Sequence, residues 1–170
     1  ADVGLHMPDF RASERTFQLL TQVAGRAGRG ELSGLGLIQT YHPKHPAVVF
    51  AKNHDYNSFA AGELISRREL GYPPFGRLAL LRFSGPEIEV VETKTRSIFS
   101  ELNRIIAQNK YRDLTLLGPV PAPMPFIQNK FHFRILIKAL RQDQIRHLLE
   151  PLIPNIEAPG KNIKIAIDID

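Results

Sequence analysis

The 170-residue chain has no cysteine, which excludes a disulfide framework and any thiolate metal site. A reducing cytoplasm fits that composition. No stretch approaches the roughly 18 consecutive apolar residues that mark a membrane-spanning helix. The opening residues, Ala1-Asp2-Val3-Gly4-Leu5-His6, carry an acid and no basic segment, so they do not read as a secretory leader. An initiating methionine is also missing, and the chain is expected to be a piece of a longer one. Internal repeats and low-complexity tracts are absent.

What is present is ordinary for a globular protein. Hydrophobic residues make up 43% and charged residues 23%, and the length allows one or two domains with a real core. The net charge of +5 and a pI near 9.7 favour anionic partners, nucleic acid among them. The excess is unevenly placed. Residues 77–170 hold 14 Lys and Arg against 10 Asp and Glu, residues 1–30 hold four against three, and residues 31–76 balance at four each.

Hydrophobic periodicity divides the chain into three parts. In 1–53, Ser13 can cap a helix over 14–27 with Thr16, Leu19, Leu20 and Val23 on its apolar side; Gly28 and Gly30 end it. Residues 35–41 then read as a short buried strand. With a strand remnant ahead of the helix, this order predicts the parallel edge of an α/β domain. The segment His42-Pro43-Lys44-His45-Pro46 reads as a loop. In 54–76, Asp55 can cap a linking helix over 56–70, anchored by Tyr56, Phe59, Leu64 and Leu70, which Gly71-Tyr72-Pro73-Pro74-Phe75-Gly76 stops.

Residues 77–170 show the cleaner pattern: a strand over 77–84, then a helix over 87–108 with Val91, Ile98, Leu102 and Ile105 at 3/4 spacing. A short strand over 114–117 leads into a stiff extended loop bearing Pro119, Pro121, Pro123 and Pro125. A strand over 130–138, a helix over 142–152 and a strand over 162–168 complete it. The order β-α-β-β-α-β predicts an α+β ferredoxin-like split βαβ sandwich.

Gln22, Arg26 and Arg29 recur at i, i+4 and i+7, which puts them on one helix face. Gly25 and Gly28 leave the surface between them open. Two guanidiniums and an amide suit a phosphate chain: the arginines supply charge and bidentate donors, and the amide can orient a water. An ordinary solvent-facing helix end, with Arg favoured by the dipole, is the plain alternative. The string Gln22-x-x-Gly25-Arg26-x-Gly28-Arg29 is similar to motif VI of superfamily-two helicases. The run from Ala1 to Arg29 resembles the bacterial primosomal replication-restart helicases, the primosomal protein N-prime (PriA) family. So do Gln39-Thr40-Tyr41-x-Pro43-x-His45-Pro46, Glu69-Leu70-Gly71-Tyr72-Pro73-Pro74-Phe75-Gly76-Arg77-Leu78-Ala79 and Leu117-Gly118-Pro119-Val120-Pro121-Ala122-Pro123.

The resemblance implies a parent that couples ATP and magnesium to 3′-to-5′ movement on DNA, acts on forked and single-stranded DNA, and works with primosome proteins and single-stranded DNA-binding protein in the cytoplasm. It implies nucleotide-sensing roles for Arg26 and Arg29 and a place near the attacking water for Gln22. It also implies a C-terminal domain similar in fold to a small-subunit ribosomal protein and linked to DNA binding. Two departures stand out. No G-x-x-x-x-G-K-[ST] loop or acidic magnesium box is present, so no ATPase activity is expected of this chain alone. The family's cysteine-rich zinc insertion is absent as well, placing zinc in the parent but not in this segment.

On 130–138, Phe131, Phe133, Ile135 and Ile137 alternate with Lys130, His132, Arg134 and Lys138, interrupted only by Leu136. The apolar set should face the helices and the basic set the open face of the sheet. Lys164 points outward on the last strand, and Lys110 and Arg112 lie close enough in sequence to add to the patch. This face is the expected nucleic-acid contact, although the outward set holds no aromatic stacking residue. A solvated face, or one docked on the helicase lobe, is the alternative. His42, His45 and His54 lack a convincing third ligand, so no metal site is expected. Asp168 and Asp170 read as a solvated strand end. A non-motor nucleic-acid-binding module with a ferredoxin-like fold is the alternative reading of the whole chain.

Overall fold

The computed structural model describes residues 2–7, 9–27, 36–160 and 162–170. The chain forms two compact units, Ala1–Ser66 and Arg67–Asp170.

The regular elements described in the first unit are all helices. They are α1 (Asp2–Leu5), α2 (Ala12–Ala27), α3 (Pro46–Lys52) and α4 (Tyr56–Glu69), the last continuing past the division between the units. Among the unit's described residues the core cluster comprises Phe17, Ala47, Ala51 and Phe59, with Leu5, Leu20 and Phe50 packed against them. The Phe17 and Phe59 rings stack in parallel, centroids 4.4 Å apart.

Several expectations change here. Neither 2–7 nor 36–41 forms a strand, so the expected parallel sheet edge is not formed among the described residues. A strand needs ladder partners, and none pairs with these segments. A side chain joins them instead: the Asp2 carboxylate accepts from the Thr40 hydroxyl at 2.8 Å and the Tyr41 N–H at 3.1 Å. The Thr40 hydrogen bond, aided by the Tyr41 amide, holds the Asp2 carboxyl below its usual pKa. Ahead of α2 it is Asp9, rather than Ser13, that accepts the Arg11 N–H and pairs with Arg15. The supposed loop around His45 contains the start of α3. His45 caps that helix by accepting the Ala47 N–H, and Pro46 sits at its first position, where its lack of an N–H costs nothing. Asp55 does accept at the start of α4, from the Ser58 N–H. Of the four expected anchors of α4, only Phe59 is buried; Tyr56, Leu64 and Leu70 are exposed.

The second unit is built on a four-stranded antiparallel sheet of order β2-β3-β1-β4. Its elements are β1 (Arg77–Gly85), α5 (Ile88–Asn109), β2 (Thr115–Ile127), β3 (Lys130–Ala139), α6 (Gln142–Leu149), a 3-10 turn (Glu150–Leu152), α7 (Ile153–Glu157) and β4 (Lys164–Ile169). Leu81 and Phe83 of β1 and Ile135 and Ile137 of β3 are fully buried. They pack with Val91, Ile98, Leu102 and Ile105 of α5, and with Ile145, Leu148 and Leu149 of α6. Each such side chain contributes about 1.5–3 kcal/mol by leaving water. The helix expected over 142–152 is interrupted at Pro151, which has no N–H for the α-helical ladder, yet Leu152 still reaches the core.

The proline-bearing stretch is the largest change in this unit. Rather than a loop, Pro119 to Pro125 lie within β2, a strand that lasts 13 residues. β2 is at the border of the sheet, where a missing donor can be tolerated. Its register against β3 slips between Leu117 and Val120 and again between Pro121 and Phe126. Gly118 sits at the first slip with φ +114°, and a Cβ there would meet the Arg134 carbonyl at 2.9 Å.

Candidate functional site

The residues expected to carry chemistry fall on two surfaces, one in each unit.

On α2 two stripes share the 3/4 spacing. Ala12, Thr16 and Phe17 are buried and Leu20 packs on the core. Leu19, Gln22, Val23 and Arg26 form the opposite, exposed stripe, with Leu19 60% and Val23 58% exposed. The expected apolar side is thus half right: the bulk of Phe17 selects the inner stripe, and Leu19 and Val23 face out beside the polar pair. Gln22 and Arg26 lie one turn apart on this stripe. Among the described residues, nothing lies within 4 Å of a Cβ built on Gly25. Arg29 and Gly28 lie outside the described residues.

On the sheet, β3 alternates as its sequence requires. Phe133, Ile135 and Ile137 are buried on the helix side; His132, Arg134, Leu136 and Lys138 are half-buried on the other. Lys130 is exposed beside the two-residue turn Gln128-Asn129, whose residues both have positive φ. A paired turn of this kind matches the twist of the strands it joins. His132 Nε2 lies 3.4 Å from the Ile127 carbonyl. Lys164 is exposed across from Ser84.

The register gives this face a row structure. One row runs Val120–Arg134–Arg82–Ala166 and the next Leu117–Leu136–Leu80–Asp168. Arg82 pairs with Asp168 at 2.6 Å. Arg82 was absent from the sequence-derived basic set because a lone arginine in an apolar strand carries no signal until its neighbours are known. Lys138 is less available than the sequence suggests. Its ammonium donates to the Leu70 carbonyl and lies 4.8 Å from the centroid of the Tyr72 ring, so the turn after α4 covers it. Lys110 caps the C-terminus of α5 in a left-handed conformation, and Arg112 is exposed.

His45 caps α3, the His6 and His42 rings lie 5.1 Å apart, and the Asp170 N–H donates to the Leu78 carbonyl. No group of three metal-ligating side chains occurs among the described residues. No helix among them is long and apolar enough to cross a membrane.

Comparison with known proteins agrees along the whole chain. The family profile described as "Primosomal protein N C-terminal domain" matches residues 68–170. The chain is similar to the replication restart protein PriA of Bacillus subtilis, 38% identical over 172 residues, covering 100% of this chain and 21% of that protein. It is 41% identical to the protein of the same name from Synechocystis over 138 residues, covering 81% of this chain and 16% of the relative. With that from Treponema pallidum it shares 36% identity, covering 100% of this chain and 25% of the relative. The chain therefore spans a quarter or less of the length of these curated relatives. It belongs to the PriA family of replication restart proteins, and residues 68–170 are that family's C-terminal domain.

Proposed function

We propose that this chain is the C-terminal part of an ATP-dependent 3′-to-5′ DNA helicase that acts in replication restart and primosome assembly. In this reading residues 1–53 end the second helicase lobe, 54–76 link, and 77–170 form a ferredoxin-like domain that contacts DNA or a partner. The element order and the strand order β2-β3-β1-β4 support the ferredoxin-like assignment. The alternative, a non-motor module, has no use for a paired-arginine motif and is disfavoured by the family match.

The observation that carries the motor reading is the sequence string Gln22 to Arg29, of which Gln22 and Arg26 lie on the exposed stripe of α2. Its donors fit the phosphates of ATP-magnesium held by the parent's other lobe. There Arg26 and Arg29 would neutralise charge on the transferring phosphoryl group and Gln22 would hold the attacking water. Zinc belongs to another segment of the parent. Forked and single-stranded DNA are the proposed ligands of Lys130, His132, Arg134 and Lys164, with Lys138 held back by its own domain. Primosome proteins and single-stranded DNA-binding protein are the proposed partners, in the cytoplasm. The leucine row beside the arginine row also suits docking of another protein surface.

Two assays test this. In the parent protein, Arg26→Ala should lower ATPase turnover by about 10³ or more while nucleotide still binds; a near-normal rate would overturn the role. In the chain itself, steady ATP hydrolysis that Arg26→Ala abolishes would overturn the expectation that it lacks activity alone. Lys130→Glu combined with Arg134→Glu should weaken oligonucleotide binding, and unchanged binding would remove the DNA role of the sheet.

A further inference from the structure

Beside its cations, the hairpin of β2 and β3 has an exposed aromatic ring that a backbone-only DNA contact leaves unused. Between Asp113 and Asp143 the sequence has no acid, while Lys130, Arg134, Lys138 and Arg141 fall within that stretch. At the end of the hairpin, Phe126 is 54% and Met124 65% exposed. Phe126 pairs with Phe131 in the register, and their rings lie 4.8 Å apart between centroids at an angle of 48°. Phe126 is absent from the core cluster. Phe131 thus supports its ring from one side, and much of the rest meets solvent. The next pair along the strands is Ile127 with Lys130, followed by the two-residue turn. Because successive side chains alternate across a sheet, Phe126 and Lys130 sit on opposite sides of the same narrow tip.

We propose that Phe126 is a base-stacking platform for single-stranded nucleic acid whose backbone is neutralised at Lys130 and along β3. The inference rests on the sheet's role as a DNA contact and adds unpaired bases as the feature recognised. Any base can stack on an aromatic ring, whatever the sequence, whereas bases within a duplex already stack on one another. A tip free of acids, with an exposed ring and a cation one register position away, matches a chain of phosphates carrying unpaired bases. An anionic membrane surface would also take cations with Phe126 and Met124, and is the competing outcome.

The test titrates the 170-residue chain with labelled single-stranded oligothymidylate of about 16 nucleotides, a duplex of the same length, and phosphatidylcholine vesicles containing phosphatidylserine. Phe126→Ala should weaken single-strand binding at least about fivefold and change duplex binding by less than about twofold. Phe126→Tyr keeps the ring and should bind single strand as the unsubstituted chain does. Unchanged single-strand affinity of Phe126→Ala overturns the proposal. Equal losses on single strand and duplex, or failure of Phe126→Tyr to retain binding, also overturn it. Vesicle binding that Phe126→Ala abolishes, with single-strand binding intact, reassigns the tip to a membrane and overturns it too. The double variant Lys130→Glu, Arg134→Glu separates the two readings. If it binds single strand undiminished, or the unsubstituted chain binds none, the DNA role of the sheet fails. If it loses binding while Phe126→Ala does not, only base stacking fails.

Discussion

Arg82 and Arg134 stand directly opposite one another across β1 and β3, and the Arg82 guanidinium is drawn onto the Asp168 carboxylate of β4 at 2.6 Å. Like charges facing each other across a sheet repel, and Asp168 relieves this pair. Both partners are more than half exposed, so the ion pair itself contributes at most about 1 kcal/mol. Its larger effect is on the field of the open face. Asp168→Asn should release Arg82, tighten oligonucleotide binding, and steepen the plot of log affinity against log salt by about 0.7–0.9 for one added phosphate contact. A salt titration of the variant beside the unsubstituted chain reads this directly, and an unchanged slope would count against phosphate contact at Arg82.

Two stacked aromatic rings sit at the described core of the first unit. Phe59 is 3% exposed and stacked on Phe17. Phe59→Ala should cost about 3–5 kcal/mol. Limited proteolysis should then cut within residues 1–66 while the sheet of the second unit stays protected.

Gln22 and Arg26 are exposed and lie outside the core. Gln22→Ala and Arg26→Ala should therefore shift the thermal unfolding of this chain by no more than about 0.5 kcal/mol. A loss of ATPase in the parent can then be assigned to chemistry rather than to folding.

His45 gives the first unit a pH dependence. Burial, then the neighbouring His42, hold its pKa below the usual 6.5, with Glu63 acting the other way. The neutral ring accepts the Ala47 N–H, and a protonated one cannot. Because the folded value is the lower, the unfolded chain takes up the proton first as pH falls. The contribution is complete above about pH 6.5 and is lost as pH falls from there through the folded value. Melting temperature should drop across that interval. His45→Asn, which keeps a capping acceptor, should flatten the drop.

Much of the second unit was legible in the sequence, because α5 and β3 are long and strictly periodic. The inward residues of α5 and the alternation of β3 follow from 3/4 and 2 spacing alone. The first unit was harder. On α2 two stripes have equal claim by spacing, and only the tertiary partner Phe59 chooses Phe17 over Leu19 and Val23. The helix α3 is seven residues long and capped by a histidine, an uncommon signal. β2 was hidden by its prolines, which read as a loop until its border position is known. The basic face was half legible: the side of each residue follows from alternation, but the pairing of Arg82 with Asp168 and the cover over Lys138 depend on register and on a distant turn.

The four prolines of β2 leave the sheet with two unlike borders. Along β2 the missing N–H donors deny an incoming strand a continuous ladder. Along β4, with no proline, its six-residue length and the charges of Lys164 and Asp168 discourage pairing. One border is thus guarded covalently and the other electrostatically. Added salt screens the second guard and leaves the first untouched, so clumping of this chain at high concentration and ionic strength should begin at β4.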